Sequence, residues 1–226
     1  MDPDIWIETR KEAEIKKPIA IVGSSGLRSI GKLVVDKLIN ELKAELMAEL
    51  YSIHLPLIYH TKPSYMSHYS LPGVGGVAVN EGQVNLPKVQ FYMSFFPSVI
   101  IVKGYHANFA GQYDVAERVI QFLKLCGVKR IIVAAGYGSK TRKVSCAATS
   151  QDIIDEMRDK FKIEVDYVGP FYGFSGLVFG MSKLKGIEAL SLFAGTQPNL
   201  ENPEFPDSDS SNMILDILRQ VLEFPQ

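Results

Sequence analysis

V-G-P-F-Y-G-F-S-G-L-V-F-G-M-S-K-L-K-G-I-E-A-L-S-L-F-A-G-T, Val168 to Thr196, is the stretch that decides how this chain folds. Gly169, Gly173 and Gly176 lack side chains, so the backbone there can turn tightly and approach a neighbour closely. Leu177, Val178, Met181 and Leu184 then recur at helical spacing, and Gly180 predicts close packing of that helix. Ile187 to Phe193 is a short apolar run, which suits a strand covered on both faces. A turn, an apolar helix and a buried strand cannot stand alone. The rest of the chain must cover them.

Working outward, the flanking segments repeat the same alternation. Upstream, Pro18–Val22 reads as a strand and Gly23–Ile30 as a small-residue turn. Gly31–Leu42 is an amphipathic helix with Leu33, Val34, Leu38, Ile39 and Leu42 on one face. Ala44–Ile53 alternates around Leu46, Ala48 and Leu50, which predicts a second strand and a strand–helix–strand unit of a parallel sheet. Val99–Val102 and Arg130–Ala135 are core strands, separated by a helix over Gly111–Cys126 that Gly127 ends. Thr149 with Asp152 has the spacing of a capping box, followed by a helix whose inner face is Ile153, Ile154, Met157 and Phe161. Ile163–Val168 is a strand leading into the opening stretch. Beyond it come a Pro- and Asp-rich loop, Gln197–Asp209, and a last helix over Met213–Leu222. The long excursion Leu55–Pro87 breaks this rhythm. It predicts an antiparallel hairpin between Val74–Val79 and Lys88–Phe95, and loops of this length are usually functional or belong to an interface.

These elements predict one α/β domain over residues 18–226, a three-layer sandwich with a mostly parallel, mixed sheet, preceded by a polar extension over residues 1–17 in which Trp6 with Ile5 and Ile7 offers an edge strand. In such a sheet the loops leaving the carboxyl ends of the strands gather on one rim. That rim should collect Gly23–Ser29, Lys103–Asn108, Gly136–Lys143, Gly169–Ser175 and Ala194–Gln197. The candidate cleft residues are therefore Ser24, Ser25, Arg28, Lys103, Tyr105, Tyr137, Lys140, Arg142 and Ser175, suited to a phosphate- or carboxylate-bearing ligand.

Composition excludes several classes. The 226 residues are 46% hydrophobic, enough for one sizeable core. Lys plus Arg is 24 against 25 for Asp plus Glu, a balance that lacks the basic footprint of nucleic-acid binding. Two cysteines, Cys126 and Cys146, give no disulfide framework and no zinc cluster, which predicts a reducing cytoplasm. The charged start does not read as a signal peptide, and no apolar run has the length of a membrane span. No metal or cofactor is expected. His54, His60, His68 and His106 lack metal-ligand spacing.

Two motifs invite catalysis and fall short of it. Gly26 to Leu33, G-L-R-S-I-G-K-L, approaches a phosphate-binding loop, but Leu33 stands where the magnesium-binding hydroxyl belongs. Gly173-Phe174-Ser175-Gly176 approaches a nucleophile elbow, but Leu177 replaces the second glycine of the pattern and all four histidines precede the serine. Ser175 is better read as the N-cap of the following helix.

G-F-S-G-L-V-F-G-M-S-K-L-K-G-I-E-A-L-S-L, over Gly173–Leu192, resembles the proteasome assembly chaperone family in its archaeal and bacterial form. L-I-N-E-L-K-A-E-L-M-A-E-L-Y ending at Tyr51, Gly136-Tyr137-Gly138 and Ala147-Ala148-Thr149 resemble the family's opening and middle, so that the likeness spans roughly Pro18 to Leu222. The resemblance implies a three-layer α/β fold related to phosphorylase- and peptidase-like hydrolase folds. It also implies homo-oligomers and, as for characterised relatives, binding to proteasome α-subunits. Two functions are therefore expected as alternatives: a non-enzymatic binding factor, or an enzyme or small-molecule binder that uses the glycine-rich cleft. Family members that dock on the α-ring often end in a hydrophobic residue, tyrosine and any residue, whereas this chain ends Phe224-Pro225-Gln226. Gly195 stands where relatives tend to carry glutamate. The expected contact surface is the aromatic excursion with the tail, namely Tyr59, Tyr65, Tyr69, Tyr92 and Phe224, facing either a partner or another copy of the chain.

Overall fold

The computed structural model describes residues 4–56, 77–106, 109–166, 169–202 and 205–223. Tyr59, Tyr65, Tyr69, His60, His68, Phe224 and the Pro72–Gly76 turn lie outside them.

The described chain runs β1 (Ile5–Thr9), β2 (Ile19–Gly23), α1 (Ile30–Glu41), β3 (Glu45–Ser52), β4 (Ala78–Asn80), β5 (Gln83–Asn85), β6 (Val89–Phe95), β7 (Ser98–Lys103), α2 (Gln112–Leu125), β8 (Arg130–Gly138), β9 (Val144–Ala148), α3 (Gln151–Phe161), β10 (Glu164–Val165), α4 (Gly173–Leu184), β11 (Glu188–Thr196) and α5 (Ser208–Val221). Nine strands form one mixed sheet in the order β1-β3-β6-β7-β2-β8-β11-β9-β10. Its centre, β7-β2-β8-β11, is parallel throughout. These are the continuous apolar runs, and they are buried on both faces because helices cover each side. One face packs on α2 and α4 through Val119, Leu123, Phe174 and Val178. The other packs on α1, α3 and α5 through Val34, Leu38, Met157 and Leu215. The fold is a three-layer α/β sandwich.

The antiparallel flanks differ from the sequence reading. β3 does not sit beside β2. It runs in the same direction, but β6 and β7 lie between them, and β3 pairs antiparallel with both β6 and β1. The alternation in Ala44–Ile53 is thus the mark of a strand away from the doubly covered centre. The expected hairpin is also different: β4 pairs with β5 in a separate two-stranded ribbon, and Lys88–Phe95 supplies β6 to the main sheet instead. Gly82, at φ +79°, makes the β4–β5 turn, a conformation that glycine takes without strain. Ile5-Trp6-Ile7 does form an edge strand, with Trp6 stacked on Tyr51 at 5.8 Å between centroids. Residues after it lie back on the sheet, and Ile15 is buried in the α2–α4 face of the core.

Three local readings change. β9, V-S-C-A-A, is a strand that small residues concealed, and it pairs antiparallel with β11. Thr149 does not cap α3. Ser150 holds that position, and the Thr149 hydroxyl accepts a hydrogen bond from the Ala189 N–H at 2.9 Å, stitching β9 to β11. Gly180 faces open space, whereas Gly31 and Gly176 are among the close approaches: a Cβ on Gly31 would lie 2.5 Å from the Ala134 carbonyl oxygen, and one on Gly176 would overlap the Phe171 carbonyl.

Candidate functional site

At the carboxyl ends of β2 and β8, under the segment that begins α4, lies a cavity of about 280 Å³. Its walls come from Ser24 to Leu27 after β2, Gly31 in the first turn of α1, Ala134 to Gly138 of β8, Phe193 of β11, and Pro170 to Tyr172 with Ser175 at the start of α4. Strand ends in a doubly covered α/β sheet present their loops this way, which is why the glycine-rich turns converge.

Four of the candidate cleft residues meet here: Ser24, Ser25, Tyr137 and Ser175. Ser175 is not the N-cap of α4. The helix begins two residues earlier, with Tyr172 in the cap position and Gly173 at φ +83°. The Ser175 hydroxyl is instead 2.8 Å from that of Ser24, and both residues are buried. A hydroxyl partner does not take a proton at neutral pH, so this pair, in which one hydroxyl donates to the other and one O–H is left to donate elsewhere, does not arm a nucleophile. The Ser25 hydroxyl has no hydrogen-bond partner among the described residues, and the buried Tyr137 hydroxyl has none either. The described lining holds serine and tyrosine hydroxyls, aromatic rings and small residues, without a lysine, arginine, histidine, aspartate or glutamate.

The other five candidates do not line the cavity. Lys103 is paired with Asp36 of α1 at 2.6 Å. Tyr105 is half-buried and Lys140 is exposed. Arg28 donates to the carbonyl oxygens of Gln197 and Phe205, both at 2.7 Å, and accepts the Asp207 N–H on its own carbonyl at 3.0 Å. Arg28 and Ser29 sit at φ +54° and +50°, a left-handed conformation that costs non-glycine residues roughly 1–3 kcal/mol each and persists because such ties hold it. Arg142 pairs with Asp209 at 2.8 Å and lies 3.8 Å from Asp207. The phosphate-loop reading ends here too, since Lys32 is ion-paired to Asp36 on the same helix.

A residue that the sequence reading missed organises this rim. Asp207 caps α5, accepting from the Ser210 N–H at 3.1 Å, and its other oxygen accepts from the Thr196 hydroxyl at 2.6 Å. Burial alone would push its carboxyl up, but the bonds from Thr196 and Ser210 outweigh burial and hold it below the usual carboxylate range. The signal was present in Asp207-Ser208-Asp209-Ser210 just before an apolar periodic run, a standard helix start. Phe171, Tyr172 and Phe193 were also missed as lining residues.

Cys126 and Cys146 are free thiols. Burial pushes Cys126 up, and burial pushes Cys146 up against the opposing charge of Arg158, so both are poorer nucleophiles than an exposed thiol. Among the described residues no group of three or more His, Cys, Asp or Glu could hold a metal ion, and no helix is long and apolar enough to cross a membrane.

Comparison with known proteins now places this architecture. The model of the PAC2 family matches residues 20–225. The chain belongs to the PAC2 family. Among family-like proteins of known structure, Pyrococcus furiosus PbaB, an archaeal proteasome activator, is 26% identical, with a TM-score of 0.81 over 99% of this chain and 91% of that one. Pyrococcus furiosus PbaA, an archaeal homologue of proteasome-assembly chaperone, is 18% identical with a TM-score of 0.73, over 98% of this chain and 87% of its own, and shares the fold. The uncharacterised protein MJ1210 of Methanocaldococcus jannaschii is 24% identical over 209 residues, 88% of this chain and 74% of that protein. This PAC2 chain thus has the nine-stranded sandwich of its structural neighbours, and its resemblance to proteasome assembly chaperones holds at the level of the family.

Proposed function

We propose that this PAC2 protein is a non-catalytic, homo-oligomeric binding factor of the cytoplasm that acts on the proteasome, with the α-subunits as its partner. The observation that supports the reading is the likeness to PbaB, an archaeal proteasome activator, at 26% identity and a TM-score of 0.81 over 99% of this chain. The surface is compatible with a protein partner. Val79 and Val84, paired across the β4–β5 ribbon, are both more than half exposed, and apolar groups left in water near one another mark contact sites. Tyr92, by contrast, is half-buried and packs against the sheet face shared with α1, so it contributes less to such a surface than its position in the sequence suggests.

The test is mass measurement in solution, alone and mixed with archaeal proteasome α-subunits. A multiple of the 25.1 kDa chain mass alone, and co-elution at a defined stoichiometry in the mixture, are expected. A monomer that never co-elutes would end this reading.

A further inference from the structure

We propose that the cavity between α1 and α4 binds the carboxylate of a small organic acid, with the acid's apolar body against Phe171, Tyr172 and Phe193. This inference does not rest on a proteasome partner.

Three observations converge. First, α1 and α4 are each 12 residues long and neither has a side-chain cap, while Gly31 and Ser175 from their first turns line the same cavity. Two helix N-termini direct the positive ends of their dipoles toward one small volume, which favours an anion, even though the first N–H of α1, that of Ile30, is already taken by the Leu27 carbonyl. Second, Ser25 lines that volume at 7% exposure with a hydroxyl that no described residue satisfies, and the fully buried hydroxyl of Tyr137, another lining residue, has no partner among the described residues either. Buried hydroxyls are nearly always paired, so the unpaired Ser25 hydroxyl calls for a partner from outside the chain. The Ser24–Ser175 hydroxyl pair adds one further O–H donor, the other being used within the pair. Third, the charge-free described lining decides which anion. A phosphate dianion would enter a site with no cation to neutralise it, whereas a single negative charge suits helix ends and neutral donors. The volume, about 280 Å³, falls just under the roughly 300 Å³ where pockets for drug-sized ligands begin, so the acid is small. The three aromatic residues supply a wall for an aromatic or branched aliphatic body.

The full chain is titrated calorimetrically with 3-phenylpropionate and isovalerate, with their neutral amides, and with inorganic phosphate. Saturable binding of at least one acid, with binding by its amide at least tenfold weaker, is expected. The double variant Ser25→Ala with Tyr137→Phe should bind that acid at least tenfold more weakly while keeping the native circular dichroism. Should the double variant fail to fold, amide chemical shifts of the wild-type chain serve instead, and changes on adding the acid should centre on residues 24–31 and 171–176. Equal binding of acid and amide, phosphate binding more tightly than either acid, no binding of either acid, or shift changes elsewhere would each overturn the proposal.

Discussion

In β7, β2, β8 and β11 the sheet is apolar on both faces over most of its length, and helices close it on each side. In β1, β3 and β6 the same sheet carries a buried glutamate. Glu49 is only 3% exposed, yet it holds Arg10 at 2.6 Å and Lys88 at 2.6 Å and accepts from the Tyr51 hydroxyl at 3.1 Å. One region is fixed by burying area and by glycines that let backbones touch. The other is fixed by a carboxylate with more than one cation around it. The parallel block needs continuous apolar strands, because nothing else tolerates cover on both faces. The antiparallel flank can place charge on its less covered side, provided every charge finds a partner.

Substitutions can break that contrast. The largest effect is expected from Phe174→Ala in α4. Phe174 is 1% exposed, and its ring is packed beside Phe109 and Gly104. Truncation should leave a cavity and cost about 4 kcal/mol, read as a fall in the urea midpoint with an unchanged slope. Glu49→Gln comes next, at about 2 kcal/mol. It strands two cations, although Arg10 is exposed enough to turn to water and already meets Glu8 at 2.8 Å. Burial would raise the Glu49 carboxyl, but Lys88, Arg10 and Tyr51 outweigh it, so it titrates below its ordinary 4.5. A depressed carboxylate adds stability that is complete above about pH 4.5 and disappears as pH falls through the folded value. The Gln variant should therefore lose less stability than the parent between neutral pH and acid, and an identical acid limb would show that the flank is not held by this charge. The smallest effect, about 1 kcal/mol, is expected for Trp6→Ala, which removes the stack on Tyr51 at the sheet edge. Hydrogen exchange should quicken in β1 and leave β2 and β8 nearly unchanged, since edge strands open locally. Equal acceleration in all three strands would mean that flank and block unfold as one.

The block was legible in the sequence because its rules are local. Ile19–Gly23, Ser98–Lys103 and the start of β8 are apolar runs bounded by turns, and α2 and α5 carry their periodicity openly. β9 was not legible, since V-S-C-A-A has neither the bulk nor the alternation that announces a strand, and only β11 beside it makes it one. The placement of β3 was not legible either, because adjacency in a sheet depends on strands that come later in the chain. At the rim, small residues next to strand ends pointed to the cavity, and Ser24, Ser25, Tyr137 and Ser175 line it. The basic residues did not. Arg28, Lys103 and Arg142 find carbonyls and carboxylates on elements remote in sequence, and nothing local to them foretells those partners.

The pairing of β3 with β6 has a consequence for how this chain can vary. Leu50 faces Val89 and Ala48 faces Phe91, so the register is set by side chains inside the two strands and not by the residues that join them. Closing a longer connection costs little, about 0.6 kcal/mol for each doubling of its length. The connection between Leu55 and Lys88 is therefore where the chain can gain or lose sequence most cheaply, provided that the buried Leu55 and the Lys88 pair with Glu49 are kept, and a new surface could be grafted there while the sandwich beneath keeps its shape.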